Sequence, residues 1–195
     1  MTEVEAFVIA DEALCDVVDR IASDQWGMAL PEWFVTGGAT GELDLRKIVN
    51  YHAFDDAWVP DVLAGRTAAE VGDRYAGDLL GADPKRSFRA ISAKAVAAAR
   101  ALDDPAKTVH LSYGDFPAAQ YLKHITSFRG FRSYDIAKLI GTDTTMPDGL
   151  IEALFQLVVP NVEEWRALGV YGPKIEPPPG ASRQTELLCL VGREP

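Results

Sequence analysis

His52, Asp56 and Arg132 are the residues of this chain whose types and spacing could do chemistry together. Residues 121–141 read as one amphipathic helix, with Tyr121, Ile125, Phe128, Arg132, Ile136 and Leu139 recurring at helical spacing on one stripe. Every member is apolar or aromatic except Arg132. An earlier helix, residues 43–59, carries Leu45, Val49, His52 and Asp56 on one stripe. An imidazole, a carboxylate and a guanidinium are thus expected to face a core, where each needs a partner or a purpose. Arg132 suits either an anion in a pocket or a carboxylate pair, with Asp135 three residues on and Asp56 across the core as partners. His52 reads as a core histidine satisfied by a hydrogen bond. His52 and Asp56, one turn apart, could also be joined by His124 in a metal site. Arg129 falls off the stripe and is expected to be solvated.

Other chemical residues read more blandly. His110, Ser112 and Asp115 invite comparison with a Ser–His–Asp set. No nucleophile-elbow pattern accompanies them, and Asp115 is placed to cap the helix that follows. Cys15 and Cys189 lie far apart without a CxxC spacing and read as small buried hydrophobes in a reducing cytoplasm. Trp58 and Tyr134 are expected beside a pocket near His52.

These side chains need helices to position them. Residues 3–24 form a first stripe with Phe7, Leu14, Val18 and Ile21, followed by a turn-rich loop over 36–42. Pro60 is expected to stop the second helix. Thr67 and Glu70 have capping-box spacing. Residues 87–102 form a third core helix, 109–111 a short extended segment, and Asp115 with Pro117 opens the long helix to Gly141. Pro147 opens a helix to about 159, Asn161 a shorter one to Gly169, and 182–191 a last one after a proline-rich span. The pattern predicts an all-α fold, an up-and-down four-helix bundle with a long crossover between its second and third helices. Residues 1–169 would form the bundle, and 170–195, too short for a core of their own, a C-terminal extension packed on it.

A chain of 195 residues, 48% hydrophobic and 25% charged, fits one globular domain. A net charge of −10 without a basic run argues against nucleic-acid binding. The acidic start is unlike a signal peptide, and no apolar run reaches the ~20 residues that span a bilayer. A cytoplasmic protein is expected, with a homodimer through an apolar helix face as one option.

Several stretches, taken in order, resemble the DinB-like superfamily, and within it the metal-binding domain of mycothiol-dependent maleylpyruvate isomerases. They are LRKIVNYHAFDDAWVPDVLAGRT from 45, DLLGADP from 78, VHLSYGDFPAAQYLKH running into SYDIAKLIG, and the ending from Trp165. The resemblance covers nearly the whole chain. It implies a four-helix bundle holding a divalent metal, zinc or nickel, and use of mycothiol. The family's ligands are a histidine on the second helix and two residues four apart on a later one. His52 matches the first; Phe128 and Arg132 occupy the other two positions, and Asp135, after Tyr134, stands where the family keeps an aspartate. Neither phenylalanine nor a permanently protonated guanidinium ligates a metal, so the resemblance implies a degenerate site. The function expected is binding of a small, anionic ligand near His52, Asp56, Trp58, Phe128, Arg132 and Asp135. The alternatives are a thiol-dependent isomerase or transferase with a displaced metal site, and a structural module without ligand.

Overall fold

The computed structural model describes residues 1–34 and 43–195. The turn-rich segment 36–42 lies outside the described residues.

Local signals set most element ends. Helix α1 (Glu3–Val18) starts at a reciprocal capping box between Thr2 and Glu5. It ends well before residue 24, in turns at Asp19 and Arg20. Asp44 caps α2 (Leu45–Leu63), accepting from the Lys47 N–H. Pro60 does not stop this helix but lies inside it. Val59, Val62 and Leu63 are buried against Val96, Ala99 and Val109, and that burial outweighs the one hydrogen bond a proline forgoes. Thr67 and Glu70 form the expected capping box on the single-turn α3 (Ala68–Val71). Asp83 caps α4 (Pro84–Arg100), with Pro84 in its first turn.

The extended segment expected over 109–111 is a strand, and it has a partner the sequence does not announce. Residues 108–117 form a hairpin of β1 (Thr108–Leu111) and β2 (Gly114–Pro117), in which His110 faces Asp115. Asp115 is therefore a cross-strand partner and not a helix cap. The long α5 (Ala118–Ile140) starts after Pro117 with no side-chain cap and ends at Gly141, whose φ of 70° is the left-handed stop the sequence announces. Helices α6 (Asp148–Val158), α7 (Val162–Ala167) and α8 (Arg183–Leu190) follow.

The architecture is helix on helix, all-α apart from the hairpin. Helix α1 lies against α5 and α4, and α2 against α4; the hairpin sits on α2 and α5. The long connection after α2 therefore joins neighbours. Of the four long helices α1, α2, α4 and α5, the successive ones that do not form close-packed pairs among the described residues are α1 with α2 and α4 with α5. This differs from the expected placement of the crossover, because the buried stripe of α4 is shared between α1 and α2. Among the described residues, no helix is long and apolar enough to cross a membrane.

The C-terminal segment packs onto this assembly. Leu187, Leu188 and Val191 are buried with Phe131, Leu150 and Leu154 of α5 and α6. Tyr134 Oη and Lys138 Nζ both donate to the Glu194 carbonyl, at 3.0 and 2.6 Å. The turn that allows this is tight: Gly192 has φ 77°, and a Cβ there would lie 2.7 Å from Gly172 Cα and from the Pro173 carbonyl. Gly192→Ala should lower unfolding stability by about 2 kcal/mol, read as a lower urea midpoint at unchanged slope.

Candidate functional site

Two polar clusters and one cavity occupy the region where the sequence places its chemistry. The first cluster centres on Arg129, which is fully buried. Its Nε donates to Asp56 at 2.7 Å and to Asp11 at 3.2 Å, its Nη2 also reaches Asp56, and its Nη1 donates to the Ile125 carbonyl at 3.1 Å. Ser92 Oγ donates to the other oxygen of Asp11 at 2.5 Å. The guanidinium lies over the Phe7 ring. One residue from each of α1, α2, α4 and α5 thus meets at this point.

Two aspartates and one arginine would leave a buried negative charge. Burial raises both carboxyl groups, Asp11 well above the usual range, where the neighbouring Asp56 raises it further. Both shifts favour protonation, most strongly at Asp11, which eases the repulsion between the two carboxyl groups. Burial alone would lower the Arg129 pKa, but Asp56 and Asp11 outweigh it and keep the guanidinium charged. The expectation that Arg129 is solvated is corrected here. The inward face of α5 runs through Leu122, Arg129 and Ile136, and Phe128 is left 43% exposed at its edge.

The second cluster contains His52 and Arg132. Arg132 Nε donates to His52 Nε2 at 3.0 Å. That nitrogen must be the unprotonated one, so the imidazole carries its hydrogen on Nδ1, which has no partner among the described residues. Burial, then the Arg132 and Arg129 charges, hold the His52 pKa well below its usual value. Burial lowers the Arg132 pKa to about 10, with Asp135 opposing and Arg193 assisting. Its ion-pair partner is Asp135, 3.6 Å from Nη1. The aspartate's stronger bonds go to Arg193, which brackets it at 2.9 and 3.1 Å. The Arg132 guanidinium stacks over Phe34. Asp56, expected as a partner for Arg132, is taken by Arg129 instead.

The cavity lies elsewhere, between α2, α5 and the hairpin. It has a volume of about 340 Å3 and an aromatic wall of Tyr51, Phe54, Trp58, Tyr113, Tyr121 and Phe128. Its polar lining residues include Asp55, His110, Ser112 and His124. Burial pushes the Asp55 carboxyl up to about 6, against the pull of Arg129. His124 Nδ1 is 3.3 Å from Tyr113 Oη, and burial lowers its pKa. His110 Nδ1 bonds Asp115 at 2.8 Å. The buried indole Nε1 of Trp58 has no acceptor among the described residues.

Of the expected pocket residues, Trp58 and Phe128 line this cavity. His52, Asp56, Arg132 and Asp135 do not; they belong to the two closed clusters. Tyr134 turns to the C-terminal segment and away from the cavity. Asp55 is missed by the sequence reading because it stands off the buried stripe of α2. The signal available was the run Tyr51, Phe54, Asp55, Trp58, a second, aromatic face of the same helix.

The metal set implied by the resemblance does not fit these residues. The Nε2 lone pair of His52 is engaged by Arg132, and Phe128 and Arg132 offer no donor atom. His52, Asp56 and His124 do not converge either, since Asp56 is bound to Arg129 and His124 faces Tyr113 and Phe116. Among the described residues, no three His, Cys, Asp or Glu side chains come together. Cys15 and Cys189 are buried, and burial raises both thiols, Cys15 to about 11. They are thiols and not thiolates at neutral pH.

Comparison with protein-family models, curated proteins and solved structures finds no match.

Arg129→Met strands two buried aspartates and should cost about 3 kcal/mol or more. Phe128→Ala, one residue away, should stay within about 0.5 kcal/mol of wild type, both by urea unfolding. The His52 imidazole resonance should hold its neutral position from about pH 8 down to about pH 5.5, where an ordinary histidine protonates.

Proposed function

We propose that the chain is a small-molecule-binding protein whose ligand occupies the aromatic cavity between α2, α5 and the hairpin. The observation that carries this reading is the cavity itself: about 340 Å3, walled largely by aromatic rings, with a few convergent polar groups. Cavities of this size and lining are the usual form of a small-ligand site. In this reading α1, α2, α4 and α5 are a DinB-like four-helix bundle, a divergent relative of the metal-binding domain of mycothiol-dependent maleylpyruvate isomerases. The protein works in the cytoplasm, without that family's metal and mycothiol chemistry. Arg132 stands in for the metal, supplying a fixed cation to His52 Nε2. The support for substitution is electrostatic: both groups would offer a positive charge to the same nitrogen lone pair.

The ligand then sits one helical face away from His52, Asp56 and Arg132. Asp55 joins the expected Trp58 and Phe128 as the groups that meet it.

Two measurements test this. Indole titrated calorimetrically into the protein should give a saturable heat, with a Kd between about 10 μM and 1 mM for a ligand of so few atoms. Phe128→Ala, which opens the wall without disturbing the fold, should weaken it several-fold. A linear, unsaturable response would remove the binding reading. Equilibrium dialysis against zinc should give the same metal content for wild type and His52→Ala. A full equivalent of zinc lost with His52 would restore a metal site and remove the substitution by Arg132.

A further inference from the structure

The cavity is one-sided in charge. Among the described residues its lining holds one carboxylate, Asp55, and no lysine or arginine. The two nearby guanidiniums are committed elsewhere, Arg129 to Asp56 and Asp11, and Arg132 to His52 and Asp135. The charge of Arg129 reaches Asp55 through the protein but does not offset its burial, so this carboxylate is short of a partner. Around it stand Tyr51, Phe54, Trp58, Tyr113 and Phe128. Ring faces carry negative quadrupolar charge and attract cations. A carboxylate ligand would meet Asp55 and those faces without a compensating donor of positive charge.

We infer that the cavity binds an organic cation, an ammonium group on an apolar or aromatic body, with the ammonium against Asp55 and the body among Phe54, Trp58 and Phe128. This rests on the small-molecule reading above and gives it a ligand class. It differs from the anionic ligand expected from the sequence, because the guanidinium that suggested an anion is not in the cavity wall. The combination is what an ammonium needs: one counter-ion for its charge, and polarisable faces for the C–H groups around it. A cavity of about 340 Å3 accommodates a one- or two-ring amine.

Three isosteric probes decide the sign. Phenethylammonium, 2-phenylethanol and 3-phenylpropionate share a ring and a two-carbon spacer and differ in charge. Calorimetric titration of the full chain at mildly alkaline pH, where Asp55 is ionised, should give the ammonium about tenfold tighter binding than the alcohol, with the carboxylate weakest. Asp55→Asn should weaken the ammonium by about tenfold and leave the alcohol within about twofold. If the alcohol or the carboxylate binds wild type as tightly as the ammonium, the cation inference fails while the pocket reading stands. If none of the three binds, both fail. A cation preference that survives in Asp55→Asn removes Asp55 as the counter-ion. Should that variant not fold, the order of the three probes on wild type decides alone.

Discussion

Arg129 holds this structure in one arrangement. A guanidinium with no exposed surface must have its charge answered inside the protein, and here the answer comes from two other helices. Asp11 from α1 and Asp56 from α2 reach it on α5, and Ser92 from α4 completes Asp11. Slide any one of the four long helices by a turn and a buried charge loses its partner. The apolar clusters above and below this point supply most of the burial, but leucine on leucine tolerates several registers. The ion cluster tolerates few.

The cluster also explains why the cavity lies where it does. Neighbouring residues on a helix point about 100° apart, so Asp56 and Asp55, or Arg129 and Phe128, serve two sides of one wall. Asp56 and Arg129 close the core between them; Asp55 and Phe128 are turned out into the space under the hairpin. The same pair of helices thus seals one compartment and opens another. His52 and Arg132, one turn further along each helix, belong to a third compartment shared with Asp135 and Arg193.

Much of this was legible in the residues. The inward stripe of α2, from Leu45 through His52 to Asp56, is buried as its period predicts, and the stops at Gly141 and Gly192 are where the glycines announce them. The pairing of Arg132 with Asp135 follows from their spacing. The phase of α5 was harder. Its polar and apolar residues are mixed on every face, and a stripe drawn through Phe128 differs by one residue from the true one through Arg129. Hydrophobicity decides against burying an arginine unless the two aspartates that meet it are known, and they come from residues 118 and 73 positions away. The hairpin was hidden for another reason: Asp115 suits a helix cap as well as a strand partner, and only the contact with His110 tells them apart.

The raised carboxyl groups of Asp11 and Asp55 couple folding to pH. In the unfolded chain an aspartate releases its proton near pH 3.8, whereas in the folded one burial holds that of Asp11 well above this and that of Asp55 to about 6. A raised folded pKa contributes stability that is complete below the unfolded value and drains away as pH rises through the folded one. His52 works in the opposite sense. Its depressed folded pKa contributes stability above about 6.5 that is lost as pH falls below it. Between the ordinary and the raised carboxyl pKa values the folded chain holds more protons than the unfolded one, so there the hydrogen ion is a ligand that favours folding, and part of its site lies where the four long helices cross.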